Sequence, residues 1–280
     1  MQVYLNGEYL AHDQARVSVD DRGYLFADGV YEVIRVYDGT PFLMEPHVAR
    51  MQAGLRAIQI DTSCIDNLSD ICMQLLQSND LTSGEATIYV QATRGVAPRK
   101  HAFPECAPSV YAAAKKFGGH PAEYFTKGVA TITAPDTRWS RCDIKSIALL
   151  PNVLANQAAH AADAFEALFV KDGVLIEGSH SNLFGVLDGE LITYPRSNYI
   201  LAGITRDFVL ALARELGIPA REAPILWDDL PRVEELFLSG TTTDVMPIAT
   251  VDGRKVGQGA PGPITRRLME KFRARAGKAA

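Results

Sequence analysis

The sequence predicts a mixed α/β chain of the α+β kind, with a smaller N-terminal domain and a larger C-terminal domain of antiparallel hairpins with helices. Three patterns carry that expectation. Asn-Gly and Asp-Gly pairs stand between short β-favouring runs in both halves, at Asn6-Gly7, Asp38-Gly39, Asp172-Gly173, Asp188-Gly189 and Asp252-Gly253. A tight hairpin turn needs positive φ, which Asn, Asp and Gly tolerate. Apolar residues at helical spacing fill the intervals. A short Gly- and Pro-containing stretch, Phe117-Gly118-Gly119-His120-Pro121, reads as a linker.

Taken in order, the opening hairpin turns at Asn6-Gly7, while Asp28-Gly29 has no partner run upstream and reads as a loop before a strand at Val30–Tyr37. His47–Ile60 places Val48, Met51, Leu55 and Ile58 on one face, and Ile65–Gln77 does the same with Ile65, Leu68, Ile71 and Leu75, which predicts two helices. Strands at Glu85–Thr93 and Ser109–Lys115 complete a first domain spanning 1–116, followed by a linker at 117–122 and a second domain at 123–280. There the pattern predicts a strand near Gly128–Thr133, a strand-like run through Asp143–Leu150 and an Ala-rich helix at Asn152–Asp163. Two hairpins follow, then a helix at Thr205–Leu216 stopped by Gly217 and a last helix at Ile264–Arg275.

With 280 residues, 47% hydrophobic and 22% charged, the composition is that of a globular protein rather than a disordered or fibrous one. The net charge of −5, with no basic tract beyond Arg266–Lys278, disfavours nucleic acid and anionic membranes as partners. Apolar stretches such as Ile147–Ala155 are broken by Pro151 and Asn152 and fall short of the ~20 residues that cross a bilayer. The N-terminus has no basic segment followed by an apolar run, so no signal peptide is expected and the default location is cytoplasmic. Cys64, Cys72, Cys106 and Cys142 lack the short paired spacing of a metal or redox site, so no metal is expected.

Lys145 stands out among the lysines because an apolar run follows it. A buried lysine must find a partner, lose its proton or be used covalently, and a desolvated amine is a nucleophile toward aldehydes. Glu177, in Glu177-Gly178-Ser179-His180-Ser181-Asn182, taken alone reads first as a simple turn at the end of a hairpin strand. Paired with Lys145 it suits pyridoxal phosphate, which needs an amine, an acid for its ring nitrogen and a phosphate cup. Gly203-Ile204-Thr205 opens a helix whose free N–H groups favour an anion, and Ser239-Gly240-Thr241-Thr242-Thr243 offers hydroxyls. Arg50 adds a cation or is an ordinary exposed helical arginine.

In this order the residues resemble the fold-type IV pyridoxal-phosphate enzymes, and most closely the D-amino-acid aminotransferases. The resemblance spans nearly the whole chain. It is carried by Phe26-Ala27-Asp28-Gly29-Val30-Tyr31-Glu32, Arg141-Cys142-Asp143-Ile144-Lys145-Ser146, Glu177-Gly178-Ser179, Leu201-Ala202-Gly203-Ile204-Thr205-Arg206 and Thr241-Thr242-Thr243. It implies that Lys145 carries the cofactor as a Schiff base and shuttles the substrate proton, and that Glu177 faces the pyridine nitrogen. Arg50, Ile204, Thr205 and Thr241 match phosphate-binding positions, and Leu201 matches a residue packed on the cofactor ring. Tyr31, Arg99 and His101 match the residues that trap the substrate α-carboxylate. The family implies a homodimer whose active sites lie at the interface, with the loop carrying Arg99 and His101 reaching into the neighbouring subunit.

The implied reaction moves an amino group between a D-amino acid, such as D-alanine or D-glutamate, and a 2-oxo acid, pyruvate or 2-oxoglutarate. An L-branched-chain aminotransferase, an (R)-amine transaminase and an aminodeoxychorismate lyase are alternatives on the same cofactor; Arg99 and His101 favour the D-amino acids. A non-catalytic cofactor-binding protein would not need Lys145 and Glu177 together. Two residues depart from the family pattern: Lys100, between the two carboxylate ligands, and His180, where serine is usual. His180 either bonds cofactor or substrate, or turns outward.

Overall fold

Each of the five Asn/Asp-Gly pairs closes an antiparallel hairpin, with both residues at positive φ, for example +50° and +76° at Asp172 and Gly173. The computed structural model describes residues 1–277, so the last three residues of the expected second domain, Lys278 among them, lie outside the described residues. Contacts divide the chain into two units. The first is Met1–Gly119 together with the five residues Ile144–Ala148, and the second is His120–Asp143 together with the chain from Leu149 onward.

The first unit contains β1 (Gln2–Leu5), β2 (Glu8–Ala11), α1 (Arg22–Phe26), β3 (Gly29–Tyr37), β4 (Thr40–Pro41), α2 (Met44–Ala57), α3 (Leu68–Ser78), β5 (Glu85–Thr93) and β6 (Ser109–Lys116). Its sheet runs β2-β1-β6-β5-β3-β4 and every pairing is antiparallel. Val30, Ile34 and Val36 of β3 meet Met51 and Leu55 of α2 and Leu68 and Leu75 of α3 in one core cluster. The helix expected from His47 begins three residues earlier, because Pro46 lies in a first turn where a missing N–H costs nothing. The helix expected from Ile65 is split. A 3-10 turn, Thr62–Ile65, is capped by the Asp61 carboxylate before α3 begins.

The second unit contains α4 (Ala122–Lys127), β7 (Val129–Pro135), α5 (Leu150–Ala161), β8 (Glu166–Lys171), β9 (Val174–Gly178), β10 (Asn182–Leu187), β11 (Glu190–Thr193), α6 (Ile204–Glu215), β12 (Ala220–Glu222) and β13 (Ile225–Leu226). β14 (Glu235–Gly240), β15 (Asp244–Val251), β16 (Arg254–Lys255) and α7 (Pro263–Arg275) complete it. Its ten-stranded sheet runs β12-β11-β10-β14-β15-β7-β8-β9-β13, with β16 on β15. Hairpins supply the antiparallel pairs β8–β9, β10–β11, β14–β15 and β15–β16, while β10 with β14 and β9 with β13 pair antiparallel across long connections. Three further neighbours, β11 with β12, β15 with β7 and β7 with β8, are parallel. Turn chemistry announces hairpins only, because parallel neighbours are joined by long connections. No helix among the described residues is long and apolar enough to cross a membrane.

The strand-like run expected through Asp143–Leu150 is not a strand. Only one bridge forms there, Val30 with Ser146, and α5 already begins at Leu150. The apolar residues that suggested a strand instead add Ile144 to the core of the first unit.

Candidate active site

In the first unit, β3 holds the segment carrying Lys145 by its main chain. The Tyr31 N–H donates to the Lys145 carbonyl at 3.0 Å, and the Ile147 N–H donates to the Gly29 carbonyl at 3.1 Å. Lys145 is half-buried, and its Nζ stands 4.2 Å from the centroid of the Tyr31 ring, a cation–π approach that a protonated amine favours. Tyr31 stacks on Tyr89 with centroids 5.8 Å apart, which fixes the ring beneath the amine. Burial pushes the Tyr89 phenol up to about 12, so it stays protonated and donates to Gln91.

The next residue of β3 faces the opposite side of the sheet. Glu32 lies fully buried in the row Val30, Glu32, Ile34, Val36, as the one carboxylate among apolar neighbours. Arg50 Nε and Nη2 donate to its two oxygens at 2.7 and 2.8 Å, and His47 Nδ1 is 2.8 Å from Oε2. Desolvation alone would raise the Glu32 carboxyl, but the charge and hydrogen bonds of Arg50 outweigh it and hold the group at about 2. Burial pushes the His47 imidazole below its ordinary value.

Arg99 and His101 lie exposed on the β5–β6 loop and share one aromatic neighbour. The Arg99 guanidinium is 4.9 Å from the Phe26 centroid, and the His101 ring is 5.5 Å from it. The loop backbone is tied down from below. Buried Arg22 donates to the carbonyls of Lys100 and His101, and Arg94 packs 3.6 Å from the Phe103 ring centroid. Asp28 accepts from both Arg22 and Arg94, so one carboxylate anchors the two arginines that hold the loop. Among the described residues, no hydrogen bond or ring contact joins Arg99 or His101 to Tyr31.

In the second unit, β9 delivers Glu177, which is 4% exposed. Its Oε1 accepts from Arg138 Nη1, and its Oε2 accepts from Asn182 Nδ2 at 2.9 Å and from the Leu201 N–H at 3.3 Å. Arg138 is shared, since its Nε and Nη2 each reach Asp136 at 2.9 Å. Burial pushes the Glu177 carboxyl up to about 7, with Arg138 opposing and the Asp136 charge adding to the rise.

Asn182 also donates to the Leu201 carbonyl at 2.9 Å, so Glu177 and Leu201 are brought together through one amide. Three residues on, Ile204 and Thr205 open α6, whose N-terminus has no side-chain cap. Uncapped N–H groups at a helix start are an anion site. Gly203 is required before them, because a Cβ there would lie 2.0 Å from Asn182 Oδ1. Thr241 lies in the turn between β14 and β15, where His120 Nε2 is 2.9 Å from the Thr242 carbonyl oxygen. Ser239 Oγ, two residues earlier, is buried without a hydrogen-bond partner among the described residues.

Sequence patterns missed the residues that orient these groups: Glu32 and His47 in the first unit, and Asp136, Arg138, Asn182 and Glu166 in the second. Glu166 is fully buried and accepts from the Ser181 hydroxyl at 2.9 Å and the His180 N–H at 2.7 Å, while His180 Nδ1 lies 3.3 Å away. That contact ties one side of the His180 ring to the turn, and the side chain stays 44% exposed. Glu32 and Glu166 do carry a signal: each is a carboxylate in an otherwise apolar strand row, and a lone charge in such a row needs a buried partner.

Residues 29–251 match the family described as amino-transferase class IV, and the chain belongs to it. It is 40% identical over 274 residues to a D-alanine aminotransferase of Staphylococcus haemolyticus, covering 97% of this chain and 96% of that protein. A D-alanine aminotransferase of Bacillus licheniformis is 39% identical over 96% of this chain and 95% of its own length. Among solved structures, a branched-chain amino acid aminotransferase of Escherichia coli superposes with a TM-score of 0.90 at 30% identity, covering 98% and 93% of the two chains. A branched-chain aminotransferase of the archaeon Thermoproteus uzoniensis, solved with norvaline, gives 0.88 at 28% identity, covering 99% and 95%.

Proposed function

From that membership we propose that this chain is a D-amino-acid aminotransferase, exchanging an amino group between a D-amino acid of the D-alanine or D-glutamate kind and a 2-oxo acid. The observation that carries the reading furthest is the near full-length 40% identity to D-alanine aminotransferases. The donor set suits pyridoxal 5'-phosphate: a half-buried amine on a restrained segment, a buried carboxyl, an uncapped helix start and a buried unpaired hydroxyl at Ser239. When bound, that group supplies an electrophilic aldehyde and a sink for the electrons of the substrate Cα–H bond.

The protein's own residues would do the rest. Lys145 Nζ would hold the cofactor aldehyde and, once released, carry the proton from and back to the substrate. Glu177 would hold the ring nitrogen in its protonated form, oriented by Arg138, Asn182 and the Leu201 N–H. The N–H groups of Ile204 and Thr205, with Thr241 and Arg50, would bind the phosphate, and Leu201 would pack on the ring. Tyr31, Arg99 and His101 would bind the substrate α-carboxylate, for which an arginine gives two parallel hydrogen bonds.

In this proposal two copies pair, and each Arg99–His101 loop serves its partner's site. A cytoplasmic setting also belongs to it, and the four free cysteines suit a reducing compartment. The deciding experiment mixes the purified protein with separate D- and L-amino acids plus 2-oxoglutarate and follows the cofactor spectrum, with borohydride trapping to identify the peptide containing Lys145. The branched-chain reading remains as a second one because of the structural likeness to such enzymes. A preference for L-leucine would replace the first reading with it. Arg99→Ala should lower D-alanine turnover by roughly thirtyfold or more while affecting a carboxylate-free (R)-amine much less.

A further inference from the structure

Arg50 sits on α2, and a long helical side chain has no fixed direction of its own. Here its direction is set from the neighbouring sheet. Glu32, in β3 between Val30 and Ile34, takes the Arg50 Nε–H and one Nη2–H in parallel at 2.7 and 2.8 Å. Two parallel bonds to one carboxylate fix both the position and the plane of a guanidinium. His47, from the first turn of the same helix, contacts the second oxygen of Glu32 at 2.8 Å. The carboxylate is therefore pinned to α2 at two points one turn apart. Glu32 itself is fully buried in a strand paired along its whole length with β5.

We propose that Glu32 is a positioning residue for phosphate recognition: it fixes the Arg50 guanidinium in the orientation that receives the cofactor phosphate. The inference rests on the cofactor reading given above. Neighbouring residues of β3 then support two groups of the same proposed site, Tyr31 beneath the Lys145 amine and Glu32 behind Arg50.

The test compares pyridoxal 5'-phosphate with pyridoxal, which has the aldehyde and ring but no phosphate. Apoprotein is titrated with each, and inorganic phosphate is used as a competitor, for wild type, Glu32→Gln, Arg50→Lys and the double variant. Glu32→Gln should weaken pyridoxal 5'-phosphate and inorganic phosphate about tenfold, the scale of one lost charge-assisted hydrogen bond. Pyridoxal binding should stay unchanged, and in the Arg50→Lys background the second substitution should add little. Equal weakening of both aldehydes, no weakening of either, or full additivity in the double variant would overturn the proposal. If Glu32→Gln does not fold, Glu32→Asp, which keeps the charge on a shorter arm, is read the same way. Failure of the wild type to bind either aldehyde overturns the cofactor reading itself, and this inference with it.

Discussion

Two glutamates, one in each unit, are both removed from water and both paired with an arginine, yet their carboxyls are driven in opposite directions. Glu32 is held at about 2 and Glu177 is pushed to about 7. Burial is nearly the same, at 0% and 4% exposure. The difference lies in how each arginine is shared. Arg50 gives Glu32 two parallel bonds and His47 adds a third contact, so attraction exceeds the desolvation cost. Arg138 gives Glu177 one nitrogen and turns its other two toward Asp136, whose charge opposes that of Glu177. Burial therefore does not decide the charge of a carboxylate, and neither does the number of donors, which is three for each; the positive charge left uncompensated beside it does. Glu32 is built to stay an anion, whereas Glu177 sits where a nearby cation, such as a protonated ring nitrogen, decides its state.

Removing a partner from the committed pair should have the largest effect. Arg50→Ala leaves Glu32 buried without its main donor and should cost about 3–5 kcal/mol of stability, read from urea unfolding of the apoprotein. A loss below about 1 kcal/mol would mean that His47 and water suffice, and the contrast between the two glutamates would collapse. Glu177→Gln should instead cost no stability at neutral pH, where it escapes the ionisation cost of the buried carboxylate, and lower turnover by about a hundred- to a thousandfold, with cofactor still bound. Unchanged turnover at full occupancy would show that another group faces the ring nitrogen.

The pH dependence separates the two with opposite signs. Glu32 is held below its ordinary value of 4.5, so its stabilisation is complete above that pH and is lost as pH falls toward 2. Glu177 is held above 4.5, so its ionisation costs stability; the cost is absent below 4.5, grows with rising pH and is complete above about 7. Each window spans on the order of 3 kcal/mol. Glu32→Gln should thus lose ground to wild type as pH rises from 2 to 4.5, and Glu177→Gln should gain on it between 4.5 and 7. Melting curves of the apoproteins across this range check both, and parallel curves would contradict both. The smallest effect is expected from Gly203→Ala. Its Cβ would meet Asn182 Oδ1 and push the amide away from Glu177 and Leu201, costing about 1–3 kcal/mol and some turnover, while the melting of Arg50 variants stays independent of it.

Local geometry explains what could be read in advance. The five hairpin turns were legible because positive φ at two adjacent residues is decided by those residues alone. The strands Glu85–Thr93 and Val30–Tyr37 are legible as β-favouring runs bounded by loop residues, and the first agrees to the residue. Lys145 and Glu177 stood out by residue type and neighbours. The segment around Lys145 was misread as a strand, because an apolar run looks the same whether it pairs along its length or touches β3 at one bridge. The return of Ile144–Ala148 to the first unit carries no local mark either.

The sequence by itself determined where the hairpins turn, where the longer helices and strands lie and which side chains can do chemistry, since these depend on φ preferences, periodicity and functional groups within a few residues. Only the tertiary structure decided the parallel neighbours β15–β7–β8, the pairing of Glu32 with Arg50 and His47, and the sharing of Arg138 between Asp136 and Glu177. The charge a buried group carries is set by the sum of desolvation and the donors brought to it. In Glu32 and Glu177 the principal arginine of each arrives from eighteen and thirty-nine residues away, beyond the reach of any local pattern.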